Sequence, residues 1–399
     1  MEAIYFIFRS IEILIFVWCA LVTLYMFVYA TFSLFYKEKN NKKNGKMKIS
    51  NYSDAPRIAV IIPAFKEDSV ILKTAESALQ QTYPTGKFQI IVVADSLQRS
   101  TIWKLNQLPI KLLEVSFENS TKAKAINTAL NSISQNFDIA IVLDADNIIS
   151  SDFLQLMAEA FQQGHSAIQG HRMAKNLNSP YALLDAISEE INNNLFSKGQ
   201  RYLGMSSRLT GSGMGFEFNL FKDLMSNINA VGGFDKELEL QLIKSNVKIY
   251  YLDNANILDE KVCKKDVLAK QRTRWIASQF HYLKKYIVSG IIELVLNRNV
   301  DYFNKTFQLA IPPRVFMVLL LLIGTSLSLL NPTSDLFINW IVTFAIYLMV
   351  FIIAFPRKYL GLKLFSLCFA IPRAMLKIVF ATPNLFSANK KFIHTPHEV

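Results

Sequence analysis

The residues best suited to chemistry fall in a few short stretches. Asp144-Ala145-Asp146 sets two carboxylates one residue apart, directly after the apolar run Ile139–Leu143. Such a pair can share a divalent cation with a phosphate-bearing ligand, because Mg²⁺ and Mn²⁺ prefer oxygen donors and often take only one or two from protein. The same acids could equally cap the next turn or helix. Asp95 closes a second apolar run, Phe88–Ala94, and Lys122 and Lys124 open a helical pattern in which they could also be a solvated first turn. Gly211-Ser212-Gly213-Met214-Gly215 is a turn-forming cluster that permits close backbone approach. Asp235-Lys236-Glu237 heads another helical pattern, where Asp235 can N-cap and Glu237 and Glu239 complement the helix dipole. Gln271-Arg272-Thr273-Arg274-Trp275 gathers an amide, two guanidinium groups and an indole, the last of which could instead anchor at a membrane interface. Neither the three cysteines (Cys19, Cys263, Cys368) nor the five histidines show metal-ligand spacing.

These groups need elements to position them. Arg57–Ile62, Phe88–Ala94, Ile110–Val115 and Ile139–Leu143 are continuous apolar runs, and Val70–Gln81, Lys122–Ser134 and Asp152–Gln163 have helical spacing between and after them. Buried Val/Ile runs separated by helices predict an α/β domain with a parallel sheet covered on both faces. Ligands of such sheets bind beyond the carboxyl ends of the strands, where Asp95, Asp144 and Asp146 all fall. A further run, Val247–Leu252, leads to Asp259-Glu260, which could orient the Gln271–Trp275 segment.

The chain is 399 residues long, 51% hydrophobic and 19% charged, which excludes a disordered protein, a coiled coil or a disulfide scaffold. Its net charge of +12 is carried almost wholly by residues 37–48 (+5) and 357–399 (+6), leaving a nearly neutral middle. A nucleic-acid reader would need a basic stripe on its folded domain, so no nucleic-acid partner is expected. The basic stretches instead flank uncharged runs: Ile13–Tyr36 of 24 residues, and Val315–Ser334 and Leu336–Phe355 of 20 each. About 20 apolar residues cross a bilayer. The charge asymmetry puts the joint near Asn331–Asp335 outside and residues 37–314 in the cytoplasm. Expected units are an N-terminal anchor (1–36), a basic linker (37–56), a catalytic domain (57–275), an interfacial helix region (276–314), a transmembrane hairpin (315–355), and an amphipathic helix with a basic tail (356–399). Within these, Ile276–Leu296 and Lys363–Phe380 have amphipathic spacing suited to a membrane surface.

The order of the pieces carries a resemblance. Val60-Ile61-Ile62-Pro63-Ala64-Phe65-Lys66-Glu67, Val92-Val93-Ala94-Asp95, Lys122-Ala123-Lys124-Ala125-Ile126-Asn127 and Asp144-Ala145-Asp146 resemble family 2 glycosyltransferases. Gly211–Gly215, Phe234–Leu240 and Gln271–Trp275 resemble the acceptor loop, base-bearing helix and Q-x-x-R-W motif of its cellulose, chitin and hyaluronan synthase branch. The resemblance covers roughly Arg57–Phe280. It implies a GT-A fold and a nucleotide diphosphate sugar donor, a UDP-sugar in particular. Asp95 would hold the nucleobase, and Asp144 and Asp146 would hold Mg²⁺ or Mn²⁺ and the donor. Lys122 or Lys124, together with Arg274, would face the diphosphate, while Gln271, Arg272, Trp275, Gly211 and Gly213 would meet a saccharide acceptor. Glu237 would be the base. The branch commonly reads Thr-Glu-Asp there, so Glu replaces the usual Asp and its carboxylate lies about 1.5 Å further out, a displacement that matters for rate. The implied function is inverting sugar transfer onto a growing cell-surface polysaccharide, at the cytoplasmic face of a bacterial inner membrane and with a possible export partner. The alternatives are single-sugar transfer to a lipid-linked acceptor, or a catalytically degenerate scaffold.

Overall fold

The computed structural model describes residues 2–37, 54–133, 136–361 and 364–381. Most of the basic linker, and the basic tail with His394 and His397, lie outside the described residues. The apolar runs form the core of one sheet: β1 (Ile58–Phe65), β2 (Phe88–Asp95), β3 (Lys111–Val115), β4 (Ile139–Val142), β5 (Ile148–Ile149), β6 (Ala167–Ala174), β7 (Met214–Glu217) and β8 (Ile249–Asp259). Their spatial order is β3-β2-β1-β4-β7-β6-β8-β5. The expected parallel sheet is interrupted by two antiparallel strands, while β6 and β8 pair in parallel. β1, β2, β3 and β4 are parallel, but β7 runs antiparallel to both β4 and β6, and β5 runs antiparallel to β8. The antiparallel strands are short and lack the long Val/Ile signature of a fully buried parallel strand.

Helices α2 (Ile71–Leu79), α3 (Arg99–Leu105), α4 (Lys122–Ser132) and α5 (Phe153–Gln162) cover the sheet. Two buried clusters result, one against each face: Ile61, Val93 and Ile126 belong to the first, Val60, Val92 and Phe153 to the second. β1 runs three residues beyond the apolar run, through Pro63. Its last pair with β4 is Ile61 with Val142, so the missing proline N–H falls just where that ladder has ended. The two strands part there, and the cleft opens.

The second half of the chain is helical: α6 (Pro180–Asn193), a π-helical turn (194–199), α7 (Gln200–Tyr202), α8 (Phe218–Ser226), α9 (Phe234–Lys244), α10 (Lys265–Asn297), α11 (Val300–Ala310), α12 (Arg314–Leu329), α13 (Phe337–Ala354) and α14 (Phe365–Ala381). No break occurs at 275–276, where a domain boundary was expected. α10 is one helix of 33 residues, and its glycine, Gly290, sits where a Cβ would meet Thr306 Oγ1 at 2.1 Å.

Helix α1 (Glu2–Ser33) starts well before the uncharged run, because its early charges are matched. Arg9 pairs with Glu12 at 2.7 Å and donates to Ser334 Oγ at 3.0 Å, while Trp340 Nε1 donates to Glu12 Oε1 at 3.3 Å. Two helical stretches, Phe6–Ser33 and Phe337–Ala354, are long and apolar enough to cross a membrane. The expected span at 315–334 falls on a 16-residue helix bent by 69° from α11, and α11 and α12 have the length and apolarity of a span only when taken together. Pro312 and Pro313 at the bend explain the break.

Helices α1, α6, α12 and α13 share a third core, with Trp340, Tyr347, Met26 and Leu321 buried together. Contact between α1 and the π-helical turn is backbone-close, since a Cβ on Gly199 would lie 2.2 Å from the Tyr29 carbonyl oxygen. Gly199→Ala is therefore expected to cost about 1–3 kcal/mol through overpacking. Thermal unfolding in detergent followed by tryptophan fluorescence checks this; Gly361→Ala, with open space at its Cβ, should leave the midpoint unchanged.

Candidate functional site

A cavity of about 350 Å³ lies beyond the carboxyl ends of β1, β2 and β4. Asp95, at the last position of β2, is buried on its wall and accepts from Ser96 Oγ at 3.0 Å. Asp144 and Asp146 follow β4. The backbone N–H of Asp144 donates to Ser212 Oγ at 3.0 Å and to Asn147 Oδ1 at 3.1 Å, which fixes the start of the loop. Asp146 Oδ2 accepts from the Glu260 N–H at 3.0 Å.

The third acid was not assigned to this cluster from sequence. Asp259, at the end of β8, brings an oxygen within 4.8 Å of oxygens of Asp144 and Asp146. Asn147 Nδ2 donates to both Asp146 Oδ1 and Asp259 Oδ1, each at 3.2 Å. Asp259 is also gripped by Arg172 Nη2 at 2.6 Å and Lys261 Nζ at 2.8 Å. Burial alone would raise its pKa, but the two cations outweigh that and hold the carboxyl well below its usual range. Glu189, from α6, completes the group by pairing with Arg172 at 3.3 Å and with Lys261. Three converging carboxylates are a hard-oxygen donor set suited to Mg²⁺ or Mn²⁺. Asp259 gave a weak sequence signal, since only folding brings β8 beside the loop after β4.

Between the two candidate lysines the geometry discriminates. Lys122 Nζ is paired with Asp144 and donates to the Gly211 carbonyl at 2.7 Å, inside the cavity. Lys124 turns away, its Nζ donating to the Asn119 carbonyl at 2.9 Å. The glycines separate too. Gly211, at φ +84°, lines the cavity. Gly213, at φ +63°, packs against the sheet, where a Cβ would lie 2.5 Å from Ile257 Cδ1, so the acceptor role expected of it has no support in its position.

Glu237, the expected base, also lies elsewhere. It is two residues from Asp235 on α9, and two helical steps are about 200°, so the side chains leave on opposite sides. Glu237 pairs with Lys285 and accepts from Tyr286 Oη at 3.1 Å, both on α10, and it does not line the cavity. Asp235 does. A Cβ on Gly211 would lie 3.8 Å from its Cγ. Burial raises the Asp235 pKa above the ordinary aspartate value, with Lys236 and Lys122 opposing and Glu239 adding to the rise.

On α10, Gln271, Arg274 and Trp275 line the opposite wall. Trp275 is half-exposed, and Gln271 Oε1 is buried without a hydrogen-bond partner among the described residues. Burial pushes the Arg274 pKa down. Arg272 does not reach the cavity; it pairs with Asp185 on α6 and lies 4.5 Å over the Trp275 ring. Its contacts make it a support for the indole.

A mixed α/β sheet with an acidic cluster at its strand ends is an architecture of the GT-A type. The chain belongs to the glycosyltransferase-like family 2, whose family model matches residues 56–278. Among curated relatives, a probable glycosyltransferase, YdaM, of Bacillus subtilis is 34% identical over 104 residues, covering 24% of each chain. A β-monoglucosyldiacylglycerol synthase of Trichormus variabilis is 24% identical over 234 residues, 55% of this chain and 48% of that protein. The chain thus spans half or less of the length of the curated relatives it matches. Among solved structures, the mannosyltransferase PcManGT of Pyrobaculum calidifontis, in complex with GDP-Man and Mn²⁺, shares the fold at 16% identity and a TM-score of 0.52, over 86% of this chain and 96% of that one.

Lys261 is buried between Glu189 and Asp259. Lys261→Met should therefore leave two buried carboxylates under-compensated and destabilise the chain by about 3–5 kcal/mol, measurable as a lowered thermal midpoint in detergent.

Proposed function

We propose that this chain is an inverting glycosyltransferase that moves a sugar from a nucleotide diphosphate sugar, a UDP-sugar in particular, to a hydroxyl of a membrane-carried acceptor. The observation that carries this reading is that one cavity is lined both by the Asp144/Asp146/Asp259 cluster with Lys122 and by Asp235. Asp95, which ends β2 and lines the cavity, would meet the nucleobase. Asp144 and Asp146, with Asp259 beside them, would hold Mg²⁺ or Mn²⁺. That ion, when bound, offsets the negative charge growing on the departing diphosphate. Lys122 and Arg274 face the same group, and Arg274 offers a planar fork for phosphate oxygens.

Asp235 rather than Glu237 is the proposed base. The acceptor oxygen attacks the anomeric carbon as the bond to the diphosphate breaks, and the hydroxyl proton passes to the Asp235 carboxylate. A single displacement inverts the configuration and needs one base. Trp275 supplies a flat apolar face and Gln271 a buried acceptor atom for a sugar at the far wall.

Helices α1 and α13 are proposed to cross the membrane, with the catalytic domain at the cytoplasmic face of a bacterial inner membrane. Side chains of α1, α12 and α13 fill the space between them, with Trp340 seated where a Cβ on Gly324 would lie 2.5 Å from its ring. That packing favours transfer to a lipid-linked acceptor, and similarity to a glucosyldiacylglycerol synthase agrees with it. The second reading is extension of a cell-surface polysaccharide, which the Gln271–Trp275 motif favours and which would call for an export partner.

Purified chain supplied with a panel of nucleotide sugars, Mg²⁺ or Mn²⁺ and lipid extract should release nucleoside diphosphate and yield a short glycolipid; long products on a gel would select the polysaccharide reading. Asp235→Asn should lower turnover by about 10²–10⁴-fold while nucleotide binding persists, whereas Glu237→Gln should keep most of its turnover. A fully active Asp235→Asn would remove this aspartate from the mechanism. Because a base must be deprotonated and burial raises the Asp235 pKa, the rate should climb with pH along an acidic limb set above the ordinary aspartate range of about 3.9. Rates measured across pH at saturating donor test this.

A further inference from the structure

Asp259 and Asp144 each already carry a protein cation. Asp259 is held by Arg172 and Lys261, both fixed in turn by Glu189. Asp144 is paired with Lys122, and the two cases differ in kind. Lys261 is buried and locked between two acids. The Lys122 side chain is 22% exposed and Asp144 32%, and the ammonium sits on a flexible four-carbon stem at the cavity surface. Its other contacts are weak or neutral: the Gly211 carbonyl at 2.7 Å and the face of the Phe234 ring at 5.5 Å. A divalent ion arriving alone at Asp144 would have to displace this ammonium from the carboxylate it is paired with, or bind beside it against like-charge repulsion. An ion arriving with a diphosphate brings Lys122 a new anionic partner in the same cavity.

We propose that Lys122 is a resident counter-cation for Asp144: it keeps the site from loading a free divalent ion and yields the carboxylate only when a nucleoside diphosphate is there to receive its ammonium. Metal and nucleotide then enter as one complex. The inference rests on the assignment of this cavity as the donor site and adds an order of binding to it. Because Lys122 also holds the Gly211 carbonyl, and Gly211 faces Asp235, its transfer to the diphosphate releases the turn beside the proposed base. Donor loading is thereby coupled to the acceptor side.

The test is Mn²⁺ binding to the full chain in detergent, read from the electron paramagnetic resonance signal of free Mn²⁺, with Mn²⁺ alone and with saturating UDP or GDP. Wild type is expected to bind Mn²⁺ alone at least tenfold more weakly than with nucleotide. Lys122→Gln should bind Mn²⁺ alone at least tenfold more tightly than wild type and gain little from nucleotide, and Lys122→Arg, which keeps the charge, should behave as wild type. Equal Mn²⁺ affinity of wild type with and without nucleotide overturns the proposal without any variant. So does a folded Lys122→Gln chain, judged by its thermal midpoint, whose affinity for Mn²⁺ alone matches wild type. Absence of Mn²⁺ binding in every chain even with UDP and GDP, combined with no nucleotide binding, would instead overturn the assignment of the donor site on which the proposal stands.

Discussion

Three carboxylates with oxygens within 4.8 Å of one another repel strongly, and the surroundings of this site are arranged to contain that repulsion. Asn147 donates to two of them at once, the Glu260 N–H steadies Asp146, and Arg172, Lys261 and Lys122 supply positive charge. Each partner comes from a different part of the chain. Arg172 is on β6, Lys261 follows β8, Lys122 opens α4, and Asn147 lies in the loop after β4. The mixed order of the sheet is what brings them together, since β8 must lie beside β6 for Arg172 to reach Asp259. A buried ionic group of this kind adds little net stability, but losing one member leaves an uncompensated charge. It specifies the arrangement rather than strengthening it.

The same group reaches toward the apolar helices through α6. Consecutive residues on a helix point about 100° apart, and α6 uses this at Glu189 and Glu190. Glu189 turns to Arg172 and Lys261 at the cavity. Glu190 turns to His171 and to Lys358, in the turn that follows α13. Burial would raise its pKa, yet those two partners bring it down to about 2. Two residues before Glu190, the Ser188 hydroxyl accepts from Arg314 at the head of α12 at 3.2 Å. Three successive residues therefore join the acid cluster, the end of α13 and the start of α12, so the catalytic domain and the apolar helices are tied by ionic contacts as well as by their shared core.

Much of the α/β domain was legible because long Val/Ile runs have few alternatives to a buried strand. Asp95 and the Asp144/Asp146 pair could be placed at strand ends for the same reason. What could not be read depended on direction or on distant partners. β7 has four residues and β5 two, too short to announce an antiparallel pairing. Asp259 joined the acids only through β8. Lys122 and Lys124 share a helix turn, and the choice between them was made by Asp144 and Gly211, both far away in the sequence. The uncharged run at 315–334 reads as a straight span because composition does not register the bend that two prolines make between α11 and α12.

The motif match and the fold point to different acids on α9. The pattern Asp235-Lys236-Glu237 contains two carboxylates, and matching it against a motif whose last acid is the base selects Glu237, whereas Asp235 is the one that lines the cavity. In the fold, Glu237 has a different task. Its carboxylate is tied to Lys285 and Tyr286 of α10, and one turn earlier on the same helix Tyr282 Oη donates to the Gly232 carbonyl at 3.1 Å. The interface is close at Gly233, where a Cβ would lie 2.3 Å from Ser278 Oγ. These contacts pin the head of α9 to α10, and α10 is also the helix that carries Gln271, Arg274 and Trp275 along the cavity. The spacing between Asp235 and the indole wall is therefore set within one rigid pair of helices, so that the proposed base and the surface that would hold the acceptor cannot drift apart independently. An acid pointing away from the reaction thus fixes the position of the one that faces it.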